Sequence, residues 1–204
     1  MNTLLFNDTP IIPSKVICIG RNYVEHIHEL NNETPSSMVL FNKPNSAITD
    51  TLCFISPDTR FEGEICFLMM DGAIAGVGFG LDLTKGELQN YLKSKALPWE
   101  RAKGFDGSAV LGDFVPLRVP LESLRMTLHI NGTLVQEATY ALMIYKPSEM
   151  VEEIASFMRF EDGDIIMSGT PKGVNTYTVG DEFIGRIYSG DMLVVENQWS
   201  VIQS

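Results

Sequence analysis

Hydrophobic positions in this chain fall in short runs rather than long helical stripes. Residues 15–20 (Lys15-Val16-Ile17-Cys18-Ile19-Gly20), 38–41 and 65–70 (Ile65-Cys66-Phe67-Leu68-Met69-Met70) carry β-branched, aromatic and sulfur-bearing side chains without a 3.6-residue period. Such runs predict mostly buried strands. Asp71-Gly72 separates the third run from a Gly-rich apolar run at 73–81, and Asn131-Gly132 separates 126–130 from 133–136. Both dipeptides are two-residue hairpin signals. Residues 110–119 read as strand broken by Gly112 and Pro116, 165–167 as a short strand, and 181–187 and 192–202 as closing strands. Helical spacing is confined to three stretches. Asn22 and Glu25 could cap a helix over about 23–30, and Thr84 with Glu87 is spaced as a capping box. That second helix would carry Leu88, Tyr91, Leu92 and Lys95 and stop before Pro98, while Ser148 would open a third with Val151, Ile154, Ala155 and Met158 inward. The pattern predicts a mainly β, α+β domain with helices on its margins.

Two glutamates head the most apolar of these runs, in Arg60-Phe61-Glu62-Gly63-Glu64. On a strand Glu62 and Glu64 must point the same way, and paired carboxylates at the end of a buried strand repel each other and resist desolvation. A divalent cation would relieve both costs. Asp82, where the second run gives way to the predicted helix, offers a third hard oxygen donor suited to Mg²⁺ or Mn²⁺. The alternative is that all three are edge and turn residues in water. Register adds a condition. If Asp71-Gly72 is a two-residue turn, Met70 faces Ala73 and Asp82 falls opposite Phe61, on the wrong face. A shared site therefore requires one inserted residue, a bulge, for which Gly76, Gly78 and Gly80 offer places.

Composition narrows the setting. The 204 residues are 45% hydrophobic and 20% charged, with a formal net charge of -11. That is the profile of one soluble globular domain, residues 1–204, with no basic stripe for nucleic acid or anionic membrane. Cys18, Cys53 and Cys66 lie in apolar settings without C-x-x-C spacing, as expected of reduced thiols in a cytoplasmic protein. The N-terminal residues show neither a secretion signal nor a membrane span. There is no G-x-S-x-G elbow, and neither Gly76-Val77-Gly78-Phe79-Gly80 nor Ser168-Gly169-Thr170-Pro171-Lys172-Gly173 has dinucleotide or P-loop spacing. The latter segment offers a hydroxyl and backbone donors to an anion. In the first predicted helix His26 can meet Glu29, but Glu25 can equally meet His28, and spacing does not choose between them.

Taken together, Gly20-Arg21-Asn22-Tyr23 with His26 and Glu29, Lys43-Pro44, Glu62-Gly63-Glu64, Leu81-Asp82-Leu83-Thr84, Leu88-Gln89, Pro98-Trp99 with Ala102-Lys103, and Gly163-Asp164 before residues 168–174 resemble the fumarylacetoacetate hydrolase family. The likeness covers nearly the whole chain and is nearest the small acylpyruvase and oxaloacetate decarboxylase or tautomerase branch. It implies a mixed β-sandwich roll, a homodimer, and Mg²⁺ or Mn²⁺ held by Glu62, Glu64 and Asp82. It selects His26 with Glu29 as a lid dyad that activates water, and gives Lys103 contact with substrate and developing negative charge. Gln89, Gly169 and Thr170 would bind the oxygens of a small anionic 2-oxo acid. The implied reactions are C3–C4 cleavage of acylpyruvates and decarboxylation of oxaloacetate, both through a pyruvate enolate. The alternatives are keto–enol tautomerisation of oxaloacetate or hydroxymuconate-type acids, and a catalytically weak metal- and oxo-acid-binding relative. Two departures stand out. Gly86 occupies the place where the family commonly has an arginine, and the connector between Met70 and Ala73 is much shorter than usual.

Overall fold

The computed structural model describes residues 1–24 and 37–203, and every structural statement below concerns these. The first half of the chain forms β1 (Lys15–Gly20), β2 (Val39–Pro44), β3 (Ile48–Thr49), β4 (Thr59–Phe61), β5 (Gly63–Met70), β6 (Ala73–Asp82) and β7 (Thr84–Lys85), then helices α1 (Gly86–Ser94) and α2 (Glu100–Lys103). The second half adds β8 (Ala109–Leu111), β9 (Leu124–Ile130), β10 (Thr133–Thr139), helix α3 (Pro147–Ala155), β11 (Ile165–Met167), β12 (Asn175–Thr176), β13 (Glu182–Ser189) and β14 (Met192–Ser200). The predicted mainly β class is what forms.

The central sheet runs β2-β1-β11-β5-β6-β8-β3, and the segment Val115–Pro116 also pairs with β6. It is mixed, with β1 parallel to β11, β3 parallel to β8, and antiparallel pairs elsewhere. A second, antiparallel sheet runs β10-β9-β13-β14. The run 65–70 is continuously apolar because both its faces are covered, as expected of a central strand. Ile65, Phe67 and Met69 join the core shared with Leu128, Phe183 and Ile187 of the second sheet, whereas Cys66 and Leu68 face Val16, Cys18, Leu111 and Phe114. The two sheets approach closely at Gly185, where a Cβ would stand 2.2 Å from the Phe79 ring.

The hairpin at Asp71-Gly72 closes as a primed turn, with φ of 51° and 74° and Met70 opposite Ala73. The bulge that the site required is present. Met69 pairs with Ile74 but Leu68 pairs with Gly76, so Ala75 is the inserted residue. Its carbonyl is not wasted, since Leu117 N–H donates to it at 2.9 Å. Beyond the bulge Gly76, Gly78, Gly80 and Asp82 share the face of Leu68, Cys66, Glu64 and Glu62. The glycines there admit Phe6, Phe114 and the Cys66–Leu111 contact, each within 3 Å of the absent Cβ.

Two helix starts differ from the capping expected. Thr84 lies in β7 opposite Arg60, and its hydroxyl donates to Glu62 Oε1 at 2.8 Å instead of capping α1. The first turn of α1 is served by Asp58, whose carbonyl accepts from Gly86 N at 3.2 Å and whose Oδ2 accepts from Glu87 N at 3.4 Å. At α3 the N-cap is Lys146 with Pro147 following, so Ser148 sits inside the first turn, and Met150 and Ile154 are the buried contacts. Pro suits that position because its missing N–H would have no helical partner.

At the far end of the central sheet, Asp164 ties β11 to the start of β1. Its Oδ1 accepts from Ser14 N, Ser14 Oγ and Lys15 N at 3.1, 2.7 and 3.2 Å. Its Oδ2 accepts from Glu161 N at 2.9 Å and pairs with Lys15 Nζ. Burial raises the proton affinity of this carboxyl, but the Lys15 and backbone hydrogen bonds outweigh it and hold the pKa below the usual aspartate range.

Candidate active site

The bulge at Ala75 brings Asp82 opposite Glu62, and Asp82 N donates to Glu62 O at 2.9 Å. Glu62, Glu64 and Asp82 each place one carboxylate oxygen within 4.8 Å of the other two. Glu64 and Asp82 are buried and Glu62 is half-buried. Burial raises the pKa of Glu64 well above the usual carboxylate range, and the charges of Asp82 and Glu62 push it further, with the Gly169 amide opposing. This is the cost foreseen for clustered carboxylates, and the cluster itself is the three oxygens gathered within 4.8 Å.

Two lysines answer it. Lys103, at the end of α2, donates to Asp82 Oδ2 at 2.7 Å and to Glu62 Oε2 at 2.9 Å. Burial opposes its charge, but Asp82 and Glu62 prevail and its pKa rises. Lys43 is fully buried on β2, 2.8 Å from Asp82 Oδ1, and donates to the carbonyl of Lys103. It faces the site because Lys43 pairs with Val16, on the face that also carries Cys18. Sequence reading missed Lys43, because Lys43-Pro44 before Asn45 resembles a turn. A lysine inside an apolar strand edge is a signal only once its partner carboxylates are known.

The donor set fits a divalent cation. All three ligating groups are hard carboxylate oxygens gathered within 4.8 Å of one another, and three carboxyl groups outnumber the two buried ammonium groups that pair with Asp82 and Glu62.

The loop 168–173 meets the trio from the β11 side. Gly169 adopts φ 96° and its N–H donates to Glu64 Oε2 at 2.7 Å, so the anion bound by this loop is the chain's own glutamate. Thr170 Oγ1 donates to Gly63 O at 3.0 Å and borders the cleft. Gln136 of β10, also unforeseen, clips the loop to β5. Its Oε1 accepts from Gly63 N at 2.9 Å and its Nε2 donates to Thr170 Oγ1 at 2.9 Å and Pro171 O at 3.0 Å.

The cleft above the trio is walled by Arg21, Phe41, Gln89, Lys93, Trp99 and Thr170. Phe41 packs on Trp99 with ring centroids 5.9 Å apart and lies 5.1 Å under the Lys103 ammonium. Arg21 has left-handed backbone, φ 58°, which costs a non-glycine residue about 1 kcal/mol or more. Asn22 enforces it. Its amide donates to Ser168 O at 2.8 Å and Tyr145 O at 3.1 Å, and its carbonyl Oδ1 accepts from Tyr145 N at 2.7 Å. At Gly86 a Cβ would stand 2.7 Å from Arg60 Nε, so the side chain of Arg60 crosses the start of α1. Of the residues expected in the site, Glu62, Glu64, Asp82, Gln89, Lys103, Gly169 and Thr170 come together. His26 and Glu29 lie outside the described residues.

Residues 15–198 match the family model for the fumarylacetoacetate (FAA) hydrolase C-terminal region. The chain is 34% identical over 194 residues to oxaloacetate tautomerase YcgM of Escherichia coli (strain K12), covering 86% of this chain and 88% of that one. It is also 34% identical over 194 residues to the mitochondrial oxaloacetate tautomerase oaa1 of Schizosaccharomyces pombe, covering 85% and 88%. The crystal structure of a candidate fumarylacetoacetate isomerase/hydrolase from Oleispira antarctica superposes with a TM-score of 0.93 at 33% identity, covering 99% of this chain and all of that one.

Proposed function

The chain belongs to the fumarylacetoacetate hydrolase family, and on that premise we propose that it enolises small 2-oxo acids in a divalent-metal-dependent site, with oxaloacetate keto–enol tautomerisation as its main reaction. The observation that carries this reading is the trio Glu62, Glu64 and Asp82, with Lys103 2.9 Å from Glu62 and 2.7 Å from Asp82. The tautomerase reading is placed ahead of C–C bond cleavage because the two relatives above bear that name at 34% identity over most of both chains.

Glu62, Glu64 and Asp82 would hold a divalent cation, which would supply Lewis-acid polarisation of a 2-oxo oxygen. Tautomerisation moves one proton from C3 to the 2-oxo oxygen and breaks no carbon–carbon bond. Lys103 stabilises the enolate that appears between the two proton transfers, because its ammonium is fixed beside Asp82 and Glu62 before any charge develops. Gln89 and Thr170 orient the substrate's oxygens from the cleft wall, and Phe41 with Trp99 limits water there. His26 with Glu29 carries the proton, an assignment resting on the family resemblance.

C3–C4 hydrolysis of acylpyruvates is the second reading, favoured by the isomerase/hydrolase description of the Oleispira structure. It uses the same enolate but adds a water at C4. One assay separates the two: Mg²⁺ with the enol of oxaloacetate, following enol absorbance, and Mg²⁺ with acetylpyruvate, following pyruvate release. Fast loss of enol absorbance without pyruvate release supports the tautomerase. Lys103→Ala should slow it by about 10²- to 10³-fold, the usual worth of one positioned donor to an oxyanion. An enol signal that decays no faster with enzyme than without removes the reading.

A further inference from the structure

One buried polar side chain reaches the site from the second sheet. Gln136 of β10 pairs with Leu128, and the register slips beside it, so that Val135 is an extra residue before Leu134. Its side chain is 2% exposed, on the inward face that also carries Ala138 into the core. A primary amide in such a place is costly unless its polar atoms are used. They are. Oε1 accepts from Gly63 N at 2.9 Å, between the two glutamates of the trio. Nε2 donates to Thr170 Oγ1 at 2.9 Å and to Pro171 O at 3.0 Å, with Lys172 O a longer 3.3 Å away. Gly63 leaves the room this needs, since a Cβ there would stand 2.8 Å from Oε1.

The neighbours decide which end of the amide is which. Gly63 N–H only donates and Pro171 O only accepts, so the oxygen faces β5 and the nitrogen faces the loop. Nε2 therefore fills a lone pair of the Thr170 hydroxyl, and that hydroxyl's single proton points away from Gln136. In this structure the proton goes to Gly63 O, 3.0 Å away, which closes a ring of three hydrogen bonds. Thr170 also lines the cleft, and an anionic oxygen there is a stronger acceptor than a neutral carbonyl. We propose that Gln136 is a positioning residue that obliges Thr170 to act as a hydrogen-bond donor toward an anionic oxygen of the substrate. This rests on the reading that Thr170 meets the oxygens of a 2-oxo acid, and adds the direction of its proton and the residue that sets it. The metal floor does not depend on Gln136 in the same way. Glu64 is placed by the β5–β6 ladder and by Gly169 N, 2.7 Å from its Oε2.

Oxalate, a dianion with acceptor oxygens only, is the probe, and calorimetry in Mg²⁺ measures its affinity without turnover. Thr170→Val should weaken oxalate by about tenfold or more, the worth of a hydrogen bond to a charged group. Gln136→Met leaves the hydroxyl undirected and should weaken it by about fivefold. Gln136→Asn, one methylene too short to span Gly63 and Thr170, should act alike and serves if the Met variant does not fold. The decisive measurement is the double variant. If Gln136 acts through Thr170, adding Gln136→Met to Thr170→Val costs no more than about twofold further. Mg²⁺ affinity without oxalate should likewise stay within about twofold of wild type in the Gln136 variants. Losses that add in the double variant overturn the proposal, as does full oxalate affinity in Thr170→Val or in either Gln136 variant. A loss of Mg²⁺ affinity equal to that of oxalate also overturns it, by making Gln136 a general support of the fold. A wild-type protein that binds oxalate with this coupling but does not tautomerise oxaloacetate leaves the assignment standing and removes the proposed reaction instead.

Discussion

Asp164 and Asp82 sit at opposite ends of β5 and are equally buried, at 0% and 1% exposure, yet the chain treats them differently. Asp164 accepts from Ser14 N, Ser14 Oγ, Lys15 N and Glu161 N, and pairs with Lys15. Asp82 holds Lys103 on one oxygen at 2.7 Å and has the Lys43 ammonium 2.8 Å from the other, with no backbone amide on either among the described residues. Asp164 stands among donors alone, whereas Asp82 shares its two lysines' surroundings with further carboxylates, Glu62 and Glu64. A saturated carboxylate is a fastening, since its charge is fully balanced within the fold. One set among like charges leaves a local excess of carboxyl groups that a cation can take up.

Removing each in turn sharpens this contrast. The largest effect is expected from Glu64→Gln or Asp82→Asn, which should lower metal-dependent turnover by about 10³-fold or more, since ligand loss removes several kcal/mol of charge stabilisation. The melting temperature of Glu64→Gln should hold or rise as like charges are relieved, whereas that of Asp82→Asn should fall because Lys43 and Lys103 lose their anion, and activity within about tenfold of wild type in either would break the contrast. Asp164→Asn should do the opposite. It should cost about 2–4 kcal/mol in urea unfolding, by leaving buried donors and Lys15 without their anion, with unchanged activity per folded molecule.

Metal addition gives the next effect. Mg²⁺ at about 100 times its Kd should stabilise the wild-type protein by about 2.7 kcal/mol, raising its melting temperature by about 5–10 °C. Glu64→Gln should show no such shift, and an equal shift in the variant would place the ion elsewhere. The smallest effect is in acid. The pKa of Asp164 is lowered on folding, so its contribution is fully present above the unfolded value of about 3.9 and fades as pH falls through the folded value. The stability gap between wild type and Asp164→Asn should therefore be flat above about pH 5 and narrow below about pH 4. A gap that stays constant to pH 2 would assign the loss to packing.

Much of this was legible in the sequence. Asp71-Gly72 and Asn131-Gly132 form the hairpins their residues demand, with all four φ angles positive. The alternation rule put Glu62 and Glu64 on one face and showed that Asp82 could join them only through a bulge. It did not say that Ala75 would bulge, because that choice is made by partners distant in sequence. Leu117 takes the Ala75 carbonyl and Phe6 packs at Gly76. Thr84 misled for a similar reason: its spacing to Glu87 is a local signal, and the carboxylate of Glu62 across the strand pair outcompeted it. Lys43 and Gln136 were missed because each acts through groups more than ten residues away in sequence or on another element, which no local pattern records.

The position of the bulge also explains how the chain tolerates so short a connector. Between Ala75 and Asp82 the residue count is rigid, because adding or removing one would carry the aspartate to the opposite side of the sheet. Between Ala75 and the hairpin tip nothing in the site keeps count, and a Cβ at Gly72 would meet no atom within 4 Å. The tip is thus mechanically insulated from the chemistry. A peptide tag or a reporter domain spliced in between Asp71 and Gly72 should leave the carboxylates where they are.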